Sequence, residues 1–493
     1  MRNMAKQIGI VITFEDTPNV NRFFVLDQQR LTSVRLNQFV ETSTEEGILI
    51  GTVVNVIKTN RYFSQLDTLS DISQQGIEIN TIFPTNLWEY TLLEIKPIAV
   101  YTNNSVVSPG APPSPGAKVF LADSRILKAV LGLTDDGLFL GHLKFQNVEV
   151  RVDIDKLLRK HLAILAMSGA GKSYTASVII EELLSRKRGQ GRIAIILFDV
   201  HGEYLSFGAT DSPYYDNVTI IDASSIQFDI SKIPVSMYKQ FLPEMSIIQL
   251  RELKKIISHY FNRSKFSIDS LIETILTDQT INVKTRDALV SWLYELKSYN
   301  LFEKEEYPNL EHLVKLGKLI IINLSSIISL RKKQMLVLYV TSRLFSLRRK
   351  GRIPPFLIVL EEAHQFCPEA KQVDAISKRI LETIAREGRK FYASLCLISQ
   401  RPIRLSTTVL SQCSSQIILR ITNPYDLKHI ASSNEAIDAD TLNTITRLMP
   451  GDALITGEIT TYPVFIKIRK RVLPETKFEK SISDESKRFE EIN

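Results

Sequence analysis

The segment HLAILAMSGAGKSYTASVIIEELL, residues 161–184, joins a strand-length apolar run to a helical one through a turn that carries glycine. Within it, AMSGAGKS (Ala166 to Ser173) has what a phosphate cradle requires. Glycines at 169 and 171 let backbone N–H groups turn inward around an anion, and the helix that follows adds the partial positive charge of its N-terminus. Lys172 is placed to reach the β- and γ-phosphates of a nucleotide, and Ser173 to ligate magnesium. Ser168, Gly169, Ala170 and Gly171, with Tyr174 just inside the helix, complete the expected nucleotide-binding set. Ala166 stands where the usual eight-residue pattern begins with glycine.

Downstream, strand-length apolar runs alternate with helical ones: IAIILFD, LIIINLSS, FLIVLEE, SLCLISQ and QIILRI. Such runs lack a polar face, so their sheet must be covered on both sides by helices, which predicts an α/β core. Between Pro234 and Lys315 the apolar residues recur at three and four, as in MSIIQLRELKKIISHYF, and predict an inserted helical subdomain over about 234–315. Upstream, IGIVITF, FFVLD, GILIGTVVNVI and LLEIKPIAVY read as a small all-β unit. SVVSPGAPPSPGA, residues 105–117, holds four prolines and two glycines and is expected to lack regular structure, as a linker or exposed loop. These readings divide the chain into domains 1–153 and 154–468 and a charged tail, 469–493, that is flexible or docked onto a neighbour.

At 493 residues the chain has room for about three structural units. Its 44% hydrophobic and 23% charged residues exclude a disordered, collagen-like or purely coiled-coil chain. Lys and Arg number 61 against 54 Asp and Glu, a net charge of +7 that is compatible with a polyanionic partner. Three cysteines without paired spacing make neither a zinc knuckle nor a disulfide framework and fit a reducing, cytoplasmic setting. No run reaches the roughly 18 apolar residues of a membrane span.

Four further motifs bear on the chemistry. FLIVLEE ends in two carboxylates; Glu361 is assigned to the metal through water and Glu362 to polarising the attacking water. IAREGRKF, 384–391, closes a helical segment with Arg386 and Arg389 three apart on one face, placed to neutralise phosphate charge in a neighbouring subunit. In SQRP, 399–402, Gln400 is positioned to sense the γ-phosphate. FDVHGEY, 198–204, sets Asp199, His201 and Glu203 on one face if the strand continues; a wall of the nucleotide site is favoured there over a nuclease metal site. The GTPase base-recognition motif NKxD is missing.

In this order and spacing, AMSGAGKS, FDVHGEY, IVLEEAHQF, IAREGRKF and SQRP resemble the HerA family of hexameric DNA-translocating ATPases, relatives of FtsK, over residues 6 to 468. The resemblance implies a RecA-like P-loop ATPase core with an N-terminal HAS-like β-barrel and the helical insertion. It also implies ATP and Mg²⁺ as cofactors, duplex DNA gripped without regard to sequence, a homo-hexameric ring and a NurA-type nuclease partner. By the same resemblance Lys172 and Ser173 match the phosphate and magnesium residues, Glu362 the catalytic glutamate, Arg389 the trans-acting arginine and Gln400 the sensor. Lys160 replaces an arginine common before the strand's first histidine, which keeps the charge and loses the planar fork. Cys367 to Lys378 is the expected channel loop, with Lys371 its basic residue. The rival readings are a packaging or conjugation ATPase, an ATPase scaffold for a nuclease, and a metal nuclease in its own right.

Overall fold

A computed structural model of the chain describes residues 7–27, 34–60, 89–261, 264–369, 375–474, 483, 486–488 and 490. The chain divides into two compact units. The first takes residues up to 153 together with 436–447 and 452–469; the second takes 154–435, 448–451 and 470 onward.

The first unit is built on a closed, six-stranded antiparallel barrel. Its strands run in the order Phe23–Asp27, Gln7–Ile12, Lys118–Leu121, Phe39–Thr44, Gly47–Asn60 and Glu89–Thr102, and Phe23 to Leu26 pairs with Leu92 to Ile95 to close the ring. Alternate residues such as Ile8, Val25, Val40, Leu49, Ile95 and Val119 point inward and fill the interior, which is how a small barrel makes its core. The proline-rich segment departs from expectation at its start. Ser105–Val107 pairs antiparallel with Val100 to Thr102, because these three residues precede the first proline and keep their backbone donors. A second antiparallel set in this unit orders Asp452–Gly457, Val464–Ile468, Leu138–Leu143 and Glu149–Val152. The sequence reading puts 452–468 with the ATPase domain; the pairing of Ile466 with Leu143 groups it with the first unit, a register more than 300 residues apart in sequence that no local pattern displays.

The second unit holds seven parallel strands in the order Val218–Asp222, Leu319–Asn323, Ala194–Asp199, Phe356–Leu360, Ala393–Ser399, Leu162–Leu165 and Ser415–Ile418. LAIL, AIILFD and FLIVL are buried at every position, as strands covered on both faces must be. The predicted helical stretch contains Val235–Phe241, Ile247–Ile256, Ile268–Thr277, Val283–Ser298 and Leu310–Leu313. Ser246 and Gln249 form a capping box that starts the second of these. Phe228 stacks on Tyr339 at 3.9 Å and meets Phe302 edge-on, which ties the insertion to the long helix Leu330–Arg349. Beyond the last strand, residues 471–473 form a strap on the helix Lys172–Leu184. Arg471 N–H donates to Tyr174 Oη at 3.0 Å, and the N–H groups of Val472 and Leu473 donate to the buried Glu181 carboxylate at 3.0 and 3.1 Å. Most of the expected tail beyond 474 lies outside the described residues. No described helix is long and apolar enough to cross a membrane.

Candidate nucleotide site

The carboxyl ends of parallel strands are where α/β sheets receive ligands, and three adjacent strands converge there. The strand Leu162–Leu165 leads into the glycine turn, its neighbour Ala393–Ser399 into Gln400, and the next, Phe356–Leu360, into Glu361 and Glu362. The turn is pinned at its base by Ala166 N–H to Ser399 O at 3.2 Å and Met167 N–H to Arg420 O at 2.9 Å. Gly169 and Gly171 take φ of 73° and 98°, left-handed values that favour glycine, and they are what allows the turn to curl. Ser168 and Gly169 are exposed, Ala170 is buried, and Ser173 and Tyr174 are half-buried at the head of the helix Lys172–Leu184.

Lys172 is 8% exposed, and its ammonium has no ion pair among the described residues. Burial lowers its pKa, opposed by the carboxylates of Glu362, Glu203 and Glu361. Glu362 is 3% exposed and has φ 47°, a left-handed backbone in a non-glycine residue where the chain leaves its strand. Such strain costs on the order of 1 kcal/mol and collects at functional positions. Its Oε1 accepts from the Gln400 side-chain amide, which brings two of the sequence-predicted residues into contact. Its Oε2 is buried without a hydrogen-bond partner; His364 Nδ1 lies 3.3 Å away but makes no hydrogen bond with it. Burial, and then the cations Arg401, Arg404 and Lys172, hold the His364 imidazole neutral against the pull of Glu362.

Asp199, His201 and Glu203 do not share a strand face. The strand stops at Asp199, whose carboxylate accepts the N–H groups of Gly202, Glu203 and Tyr204, the last two at 3.1 and 3.0 Å, and folds the chain into a turn. The Asp199 carboxylate is engaged by backbone donors, and no group of three potential metal ligands occurs among the described residues. Glu361 backs the same turn, its Oε2 accepting from Val200 N–H at 2.8 Å and His201 N–H at 3.3 Å. Burial and then the Asp199 carboxylate push the Glu361 carboxyl well above its usual range. Glu361, expected to hold the metal through water, is thus buried with one oxygen engaged by backbone donors. Nothing in FDVHGEY announces this, because the partner lies 161 residues away.

Arg386 and Arg389 do not share a helix face either. The α-helix Lys378–Glu387 ends between them; Arg386 sits in its last turn, 3.7 Å from Glu382, and Arg389 in the 3₁₀ turn Gly388–Phe391. Both side chains are exposed, and Arg389 has no ion pair among the described residues. Arg389 precedes the strand Ala393–Ser399 while Gln400 follows it, and seven residues at about 3.3 Å place the two ends roughly 20 Å apart. Lys371, in the expected channel loop, lies outside the described residues. An open cleft beside the glycine turn is lined by Met167, Ser168, Gln400, Arg401, Arg404 and Tyr425. Arg404 and Tyr425 escaped the sequence reading because no motif contains them.

These residues fit a nucleoside triphosphate with magnesium. The turn is curled by two left-handed glycines, Lys172 is buried without an ion pair among the described residues, Ser173 supplies a hydroxyl beside it in sequence, and the buried Glu362 Oε2 is left without a donor. A family model described as "Helicase HerA, central domain" matches residues 138–345. A Methanocaldococcus jannaschii protein described as a probable DNA double-strand break repair helicase HerA is 31% identical over 436 residues, covering 76% of this chain and 85% of the relative. The DNA double-strand break repair helicase HerA of Sulfolobus acidocaldarius is 29% identical over 392 residues, 73% of this chain and 74% of that one. Among solved structures, VirB4 of Thermoanaerobacter pseudethanolicus matches 68% of this chain and 97% of its own length with a TM-score of 0.53 at 17% identity, a likeness of fold.

Proposed function

From the premise that the chain belongs to the HerA helicase family, we propose that it is an ATP-hydrolysing motor that moves duplex DNA through a homo-hexameric ring. The observation that carries this reading is the buried Lys172 together with the buried Glu362, whose Oε2 lacks a hydrogen-bond partner, at one end of the sheet. Lys172 binds the β- and γ-phosphates with the turn's N–H groups, and Glu362 Oε2 accepts a proton from the water that attacks the γ-phosphorus. Gln400, bonded to Oε1, holds that carboxylate and registers loss of the γ-phosphate. The Ser173 hydroxyl would hold a magnesium ion, which would supply neutralisation of phosphate charge, and Glu361 supports that side of the site from behind.

Arg389 stands too far from the glycine turn of its own copy to serve it, and this supports sites completed between subunits. The same reading includes sequence-independent DNA contacts that weaken with salt, work in the cytoplasm, and end processing with a NurA-type nuclease. A triplex-displacement assay tests it. The wild-type protein is expected to strip a bound third strand with ATP, and Glu362→Gln is expected to bind ATP without stripping. ATP hydrolysis without displacement would replace the motor by an ATPase scaffold, and displacement by Glu362→Gln at the wild-type rate would remove the role of Glu362.

A further inference from the structure

At the opposite end of the sheet, His161, the residue that opens the strand leading to the glycine turn, is 1% exposed. It sits at φ 62°, a left-handed conformation costing a non-glycine residue on the order of 1 kcal/mol. Both ring nitrogens are occupied. Nδ1 accepts the Leu395 N–H at 3.0 Å, so the ring proton is on Nε2, which donates to Ala385 O at 3.0 Å. Ala385 lies in the last turn of the helix Lys378–Glu387, where carbonyls have no partner within the helix.

The two partners bracket the segment that bears Arg389: one precedes it and the other follows it. Gly388 is fitted to the same spot, since a Cβ there would come within 2.3 Å of Ala393 O and 3.3 Å of His161 Cε1. From the other side Arg348 Nε donates to Phe391 O at 2.7 Å. The backbone beneath Arg389 is therefore fastened on two sides while its guanidinium stays exposed. Arg386, by contrast, is engaged by Glu382.

We infer that His161 is a positioning residue for Arg389: by tying Ala385 and Leu395 to the start of the P-loop strand, it aims the guanidinium at the nucleotide held by the next copy of the chain. The inference rests on the reading of Arg389 as a trans-acting cation. It also makes the strand Leu162–Leu165 a rigid link between one copy's phosphate turn and the cation it offers to its neighbour.

His161→Asn is the informative variant. Asparagine tolerates the left-handed backbone and can still accept from Leu395 N–H, but it is too short to reach Ala385 O. Expected is a fall in DNA-stimulated kcat of between about tenfold and about a hundredfold, as for a misplaced catalytic group, with KM for ATP and ring assembly retained. The decisive readout is subunit mixing with Lys172→Ala. Arg389→Ala mixed with Lys172→Ala should regain activity, because intact phosphate turns then meet intact arginines, and His161→Asn mixed with Lys172→Ala should regain it equally. If only the Arg389→Ala mixture recovers, His161 serves its own phosphate turn and the inference falls while the trans reading stands. If neither recovers, the trans reading itself falls and takes the inference with it. Should His161→Asn fail to assemble, Gly388→Ala, whose added carbon presses on the same imidazole and on Ala393 O, carries the same mixing comparison.

Discussion

The two ends of the seven parallel strands are finished in opposite ways. At the carboxyl ends, Lys172 and Glu362 are buried, Glu362 Oε2 lacks a hydrogen-bond partner, and Glu362 is held in a left-handed backbone. At the amino ends, the buried polar group, His161, has both nitrogens satisfied, and the charge, Arg389, is turned out to solvent. Buried charge is costly unless it is paired and hydrogen-bonded, whereas a solvated cation on a fixed backbone costs little. On the proposed reading one end receives the nucleotide's phosphates and the other offers a cation to the next copy, which is the arrangement a closed ring requires.

Substitutions at each end sharpen or break this contrast. Arg389→Ala should lower ATP turnover by about a thousandfold or more while leaving assembly intact, measured as steady-state hydrolysis alongside sedimentation; an effect below about tenfold would deny the amino end any part in the chemistry. Glu362→Gln should lower turnover by about a hundred- to a thousandfold with nucleotide affinity preserved, read by single-turnover hydrolysis and equilibrium binding. His161 supplies a pH test. Burial lowers its pKa from 6.5 to about 4, so between those values the unfolded chain binds the extra proton and stability rises with pH. Taking the protein from pH 7 to pH 5 should cost about 2 kcal/mol from this group, and His161→Asn should show a shallower fall in Tm over that range. Equal slopes would mean that the imidazole is not held neutral. Arg386→Ala, which removes only an exposed pair with Glu382, should change stability by less than about 1 kcal/mol and turnover by less than about twofold. A loss matching that of Arg389→Ala would erase the distinction between the two arginines.

What the sequence displays and what it hides follow from range. AMSGAGKS is readable because a phosphate turn needs its glycines, lysine and serine within eight residues of one another. FLIVLEE is readable because complete burial leaves a strand no polar face. The turn at Asp199 is hidden because whether the strand continues past it or bends is set by four backbone donors that carry no side-chain identity. His161 is a lone histidine before a strand, and its partners lie 224 and 234 residues away. Phe39–Thr44, FVETST, hides as a strand because barrel closure, and not its own pattern, buries Thr42. The helix end between Arg386 and Arg389 was illegible for a similar reason: Gly388 is chosen for the closeness of Ala393 and His161, neither of which the local spacing shows.

The strap at 471–473 has a practical consequence. Glu181 is sunk in the helix that begins with Lys172, and its oxygens take N–H donors from Val472 and Leu473. A recombinant version trimmed at Ile468, where the last strand ends, would look tidy and would take these donors from a buried carboxylate, at about 1 to 3 kcal/mol per lost donor. The damage would surface far from the cut, as weakened grip on nucleotide.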